Sequence, residues 1–334
     1  MFSSIIKYQF IITVKPYHSE FKDHWDEFVA TSKNATFLFQ RDFMDYHSDR
    51  FNDFSLMLYK GNDLFALLPA NSKGSHVYSH QGLSYGGLLL KKDCKFEDVL
   101  EAFKILLKYL NENNFDNLEL KLLPKIYHML PSDEMDFLLF KTDAQIIRKD
   151  ISTVIDFREP LKITSSNRKR NLKKAISNQV VVKEVEDCVA FFNMILIPNL
   201  KERHEALPTH NVEDINSLKT KFPKHIRQFN AYHDDVIIAG VTVFETDQVV
   251  HAQYISTLDS KKDLAGLDAI FDQLIHTEFK HKRYFSFGIS NENQGQQVNR
   301  GLLKWKESFG ARAISHDFYK ISTKNYNRLN DIWL

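Results

Sequence analysis

The sequence predicts an α/β protein of two similar units, each a mixed, mostly antiparallel sheet flanked by helices. Three observations lead there. One series of elements (hairpin, strand, amphipathic helix, strand) occurs twice, about 170 residues apart. Helical stretches open each half. The composition, 43% hydrophobic and 26% charged over 334 residues, is that of an ordinary globular chain long enough for two domains.

In the first half, "MFSSIIKYQFIITV" (1–14) reads as a strand, because Lys7 and Gln9 interrupt its apolar run. "SEFKDHWDEFVATS" (19–32) reads as a helix. "FSLMLYKGNDLFALLPANS" (54–72) is a hairpin turning at Gly61-Asn62-Asp63, and "VYSHQGLSYGGLLL" (77–90) supplies a third strand. "FEDVLEAFKILLKYLNENN" (96–114) carries apolar residues at 96, 99, 100, 103, 106, 107 and 110, a helical spacing, and the strand "NLELKLL" closes the unit. The second half opens with helices at 164–178 and 186–203. A hairpin follows at 227–246 with its turn at His233-Asp234-Asp235, then a strand at 248–257, a helix at 264–280 and a strand at 283–290. Pro160 places the boundary near 156–164, giving domains 1–157 and 158–334.

Charge and composition exclude several functions. With 44 basic and 43 acidic residues, a general nucleic-acid binder is disfavoured, and any basic recognition must be local. Only 11 glycines argue against a multi-glycine phosphate cradle. Cys94 and Cys188 suggest neither a disulfide framework nor a zinc site and fit a reducing cytoplasm; no metal is expected. No stretch reads as a membrane span.

The local basic feature is "TSSNRKRNLKKAIS" (164–177), with five basic residues among the seven from Arg168 to Lys174. On a helix, Leu172, Ala175 and Ile176 form the expected buried stripe, capped by Ser165, Ser166 or Asn167. Arg168 shares that side, while Lys169, Lys173 and Lys174 fan toward water. A guanidinium at a helix N-terminus opposes the dipole, so Arg168 is expected to face an anion, such as the diphosphate of a nucleotide-linked acceptor. In "GLLKWKESFG" (301–310), Leu302, Trp305 and Phe309 form a stripe, Gly310 ends the helix, and Lys306 sits at the stripe's edge. Snorkelling explains such a lysine as well as catalysis does. The residues expected to act as base are His251 and Glu292, each with a structural reading open beside it. "VYSHQGLSYGG" offers Tyr78, His80, Gln81 and Tyr85 beside glycines that permit close ligand approach, or merely form a turn.

The second-half text "RKRNLKKAISNQVVVKEV" resembles the basic helix and strand, R-x-x-N-[IL]-[RK]-K-A, of the FemAB-like branch of the GNAT acyltransferases. "GLLKWKESFG" is similar to that branch's Gly…Phe-Lys…Phe-Gly segment, with Trp305 in place of the usual Phe. "YISTLDSKKDLAGLDAIFDQLI", "YFSFGISNENQG" and the N-terminal "ATFLFQRDFMDYH" extend the likeness over nearly the whole chain, the last toward a subgroup found among bacterial surface-polysaccharide genes. One departure stands out. Where a CoA-binding GNAT has Q/R-x-x-G-x-G/A, this chain reads "DLAGLD": Gly266 survives, but Asp263 and Asp268 would repel a diphosphate unless they turn away. The long helical arm of Fem proteins proper also has no room here.

The resemblance implies tandem GNAT-like domains and a cytoplasmic N-acyltransferase acting on an amine of a nucleotide-linked sugar or other cell-surface glycan precursor. The first unit would bind acceptor and the second would hold the donor and the chemistry. Acyl-CoA is the expected donor, with Gly266 beside it; aminoacyl-tRNA, the donor of Fem-type peptidyltransferases, stays open, as does a non-catalytic module binding an anionic ligand. Lys306 would stabilise the oxyanion or hold a donor phosphate. The expected substrate contacts are Arg168, Lys173, Tyr78, His80, Gln81, Tyr85, Tyr254 and Trp305.

Overall fold

A computed structural model describes residues 12–163 and 165–334. Residues 1–11 of the expected first strand lie outside the described residues; Ile12–Pro16 is a strand. The contacts divide the chain into Met1–Arg148 with Asp317–Leu334, and Lys149–His316. This differs from the expected 1–157 and 158–334 division. Phe318–Ser322 pairs antiparallel with Asn117–Lys121, and Ile321 and Leu329 are buried in the first unit's core, so the C-terminus folds with the first half.

In the first unit, Ile12–Pro16, Leu56–Lys60, Asp63–Leu68 and Leu89–Leu90 form an antiparallel sheet in that order. Gly61 supplies the positive φ (63°) of the expected hairpin turn. Helix Phe96–Glu112 buries Val99, Leu100, Phe103, Leu106, Leu107 and Leu110, the predicted stripe. The expected strand over 77–90 is instead broken in two. His76–Tyr78 pairs parallel with Asn117–Lys121, and the chain then loops and returns so that Gly86 N–H reaches the Lys121 carbonyl. Gly86 lies so close to the Ser79 carbonyl that any side chain would collide with it.

The second unit's sheet runs in the order Val181–Val185, Ile226–His233, Val236–Glu245, Val249–Thr257, Tyr284–Ile289, then residues 149–156. The hairpin turn has Asp234 and Asp235 at φ 48° and 57°, the left-handed pair of a tight turn. All these pairings are antiparallel except one: Val249–His251 runs parallel to Tyr284–Ser286 for three positions. Helix Gly266–Gln273 packs Ile270 and Phe271 on one sheet face with Phe285, Phe287 and Phe309, and continues as a π-helical turn, Leu274–Glu278. Helix Ser166–Ser177 lies within the expected 164–178 span, and Ser165 caps it. Its inward face centres on Arg168 and Ala175, so Ile176, expected in the stripe, is 69% exposed. The helix Val212–Lys221, closed by a capping box of Asn211 and Asp214, was not foreseen.

Candidate active site

Two buried cations organise the second unit. The first is Lys306, on helix Arg300–Glu307, which Asn299 caps by accepting the Leu302 N–H. The expected stripe is rotated: Leu302 is 38% exposed, whereas Lys306 is 3% exposed and is the helix's buried residue. Its Nζ does not snorkel to water. It donates to the backbone carbonyls of Gly288 (3.1 Å) and Ile289 (2.6 Å). Desolvation lowers its pKa from 10.5 to about 8. Among the described residues it has no carboxylate partner.

The carbonyls it meets lie where the sheet opens. Beyond the three paired positions of Val249–His251 and Tyr284–Ser286, the strand Tyr284–Ile289 also breaks register against residues 149–156, between Ser286 and Ile289, with Gly288 at φ 71°. A side chain on Gly288 would stand 3.0 Å from His251 Cε1. Gly288 N–H donates to Ser286 Oγ (3.3 Å), and that hydroxyl is 3.2 Å from His251 Nδ1. The Ser286 hydroxyl thus bridges the Gly288 N–H and the imidazole, engaging His251 at Nδ1. Burial, then the Lys306 charge, lowers the His251 pKa from 6.5 to about 4. A neutral imidazole with Nδ1 engaged and so low a pKa is poorly matched to a general base near neutral pH. His251 and Lys306 are thus brought together at Gly288. Glu292 is exposed and accepts a hydrogen bond from Asn299 Nδ2 (2.7 Å), which braces the helix cap.

The second buried cation is Arg168. Its anion is internal: Nη1 lies 2.7 Å from Asp268 Oδ1, both side chains are buried, and Asn171 Nδ2 donates to Oδ2 (3.1 Å). Burial raises the Asp268 pKa even against the pull of Arg168. Asp268 therefore neutralises the arginine that was expected to face a ligand diphosphate. Asp263 is fully exposed, 3.7 Å from Lys174. Gly266 is explained by packing, since a Cβ there would lie 3.0–3.1 Å from Ile238 and Ala239.

The remaining expected contacts are largely occupied within their own units. Tyr254 shares its hydroxyl with His210 Nδ1 (2.6 Å), and burial drives its pKa up to about 12. Trp305 packs on Phe271 and Phe309. Lys173 is exposed. In the first unit, Gln81 and Asn71 exchange two hydrogen bonds, Tyr85 meets Thr36 Oγ1 (3.1 Å), His80 is buried at φ 69° against Phe51, and half-buried Tyr78 stacks near His76. Sequence reasoning missed Ser286, Gly288 and the Asn171–Asp268 contact. The glycine inside the strand "FSFGIS" was the available signal, because such a glycine marks a bulge or a close approach. Among the described residues no group of three or more His, Cys, Asp or Glu could hold a metal, and no helix is long and apolar enough to cross a membrane.

Known structures share this architecture. FemX superposes with a TM-score of 0.66 at 9% identity, covering 95% of this chain and 99% of that one. The C-terminal domain of a putative lysylphosphatidylglycerol synthetase from Agrobacterium fabrum gives 0.58 at 10% identity, over 90% and 91%. A tandem GNAT protein of the clavulanic acid biosynthesis pathway gives 0.50 at 11%, over 94% and 99%. At these identities the likeness is one of fold: the chain has the FemAB-like, tandem GNAT architecture. No protein-family profile matches the sequence. Nucleosome assembly protein 1;3 of Arabidopsis thaliana is 28% identical over 135 residues, 40% of this chain and 33% of that protein; the chain spans about a third of the curated relatives it matches.

Proposed function

We propose that the protein is an N-acyltransferase in which Lys306 stabilises the oxyanion formed when an amine attacks an acyl donor. The observation that carries this reading is a buried lysine whose only partners among the described residues are two backbone carbonyls, at the opening between two parallel strands. An ammonium has three N–H bonds, and two are committed to Gly288 and Ile289, which leaves one to donate. In a site this buried, one such donor strengthens as charge develops on the carbonyl oxygen. His251, held neutral, adds no competing charge and shapes the floor beneath Gly288. The reaction is direct: the neutral amine forms the new C–N bond, the acyl–donor bond breaks, and the amine's proton leaves with the departing group.

The acceptor class we favour is an amine on a cell-surface glycan precursor. Its nucleotide linkage loses its residue-level argument, because Arg168 is paired with Asp268. For the donor, acyl-CoA is the first reading, and aminoacyl-tRNA, which the sequence resemblance to Fem-type proteins implies, is the second. The test is product mass after incubation with acyl-CoA or charged tRNA and amine acceptors. Lys306→Ala should lower kcat by roughly 100- to 1,000-fold. The ratio of the wild-type rate to the Lys306→Ala rate should fall as pH rises through about 8, where the ammonium is lost, the variant carrying the same rise in neutral acceptor amine. An unchanged rate in the variant, or a ratio that does not fall through that range, would overturn the assignment.

A further inference from the structure

From Pro160 to Lys183 the chain holds seven basic residues and neither an acidic nor an aromatic one, although its net charge is only +1. Helix Ser166–Ser177 lies inside that span and turns one side inward, through Arg168 and Ala175. Arg168 is spent on Asp268. Helical phase puts Lys169, Arg170, Lys173 and Lys174 around the outward side, and all four are exposed. Lys169, Arg170 and Lys173 have no ion pair among the described residues; Lys174 has Asp263, 3.7 Å away and fully exposed. The short turn Asp259–Leu264 packs beside the helix and adds exposed Lys261 and Lys262. The carboxylates of this neighbourhood are Asp259, Asp263 and Asp272. Asp259 is engaged by Arg203 and Lys262, and Asp272 by His276. The surface is therefore positive on balance, and its charges are arranged against the helix. Lys169 with Lys173, and Arg170 with Lys174, are like charges one turn apart, a destabilising spacing. An anionic partner relieves that repulsion.

Ile176 says which anion. It is 69% exposed, three residues after Lys173 and seven after Lys169, so it stands on the same flank as those cations. Leu172, one turn earlier on that flank, is half-buried. We propose that the outward side of helix Ser166–Ser177 docks the protein on an anionic lipid bilayer, with the cations at headgroup phosphates and Ile176 at the boundary with the acyl chains. A single-stranded nucleic acid is the rival polyanion. Its readers set aromatic rings among their cations for bases to stack on, and the span 160–183 has none. This docking does not depend on the acyl-transfer reading of Lys306.

The test is flotation of the full chain with vesicles of phosphatidylcholine alone and of phosphatidylcholine mixed equally with phosphatidylglycerol. The protein should partition onto the mixed vesicles, not the neutral ones, and added salt should release it. Arg170→Gln or Lys173→Gln should weaken partitioning about fivefold, and the two together about 25-fold. Ile176→Ser should weaken it about tenfold. All three positions are exposed, so each variant should keep a cooperative melting transition. Poly(U), as the nucleic-acid probe, should bind more weakly than the mixed vesicles. Equal partitioning onto neutral and mixed vesicles, or none onto either, would overturn the proposal with the wild-type protein alone. So would partitioning unchanged in the folded double variant, or tighter binding to poly(U) with Ile176→Ser leaving the vesicle result unchanged.

Discussion

Lys306 and Arg168 are both buried cations in one unit, and they are held in opposite ways. Arg168 has a carboxylate at 2.7 Å and an asparagine behind that carboxylate. Lys306 has only two carbonyl oxygens, and its pKa drops to about 8. The difference separates a cation spent on an internal ion pair from one that, under the proposed function, is held for a substrate. A paired guanidinium has little charge left to offer a diphosphate, whereas a lysine held by dipoles keeps a full charge and a free N–H at the cost of desolvation.

The contrast can be broken hardest at Asp268. Asp268→Ala leaves a buried guanidinium without its anion and should cost about 3–5 kcal/mol in urea unfolding, while replacing the pair together by Met and Leu should cost far less. Equal losses in the single and paired replacements would show that Arg168 does not rely on Asp268. The next effect belongs to Lys306. Its folded pKa lies below the unfolded 10.5, so between about 8 and 10.5 the unfolded chain binds the extra proton and stability rises with pH. Relative to Lys306→Met, wild type should gain on the order of 3 kcal/mol across that window, and parallel pH–stability curves would refute the lowered pKa. At Gly288, alanine must adopt φ 71° and meet His251 Cε1 at 3.0 Å. A loss of about 1–3 kcal/mol is expected by calorimetric melting, together with a shifted His251 imidazole resonance. The smallest effect is Lys174→Ala, whose partner Asp263 is fully exposed. It should stay within about 0.5 kcal/mol in the same unfolding assay, and a larger loss would mean that the basic helix is not divided as described.

Much of this was legible in the one-dimensional text, but unevenly. The hairpin turns, the helix at 96–112 and the Ser165 cap follow from local rules that act over a few residues. Helical phase also placed Arg168 on the buried side. The same reasoning misplaced Ile176 and Leu302, because a stripe's width depends on what packs against it. It treated 77–90 as one strand, because the collision at Gly86 that forces the chain to loop involves a backbone atom seven residues earlier. His251 is the sharpest case in the site. Its residue type suggested a base, and only its enclosure beside Lys306 turns it into a neutral spacer.

What the sequence by itself determined was the order of the elements, their caps and turns, and which segments carry cations near an apolar stripe. The tertiary structure alone decided which cation is cancelled. Asp268 lies 97 residues beyond Asn171 and still meets both it and Arg168, while nothing acidic folds against Lys306 among the described residues. The physical reason is range. Helix phase and turn geometry are set by near neighbours along the chain, whereas the charge state of a buried group depends on everything within a few ångströms in space, whatever its place in the sequence.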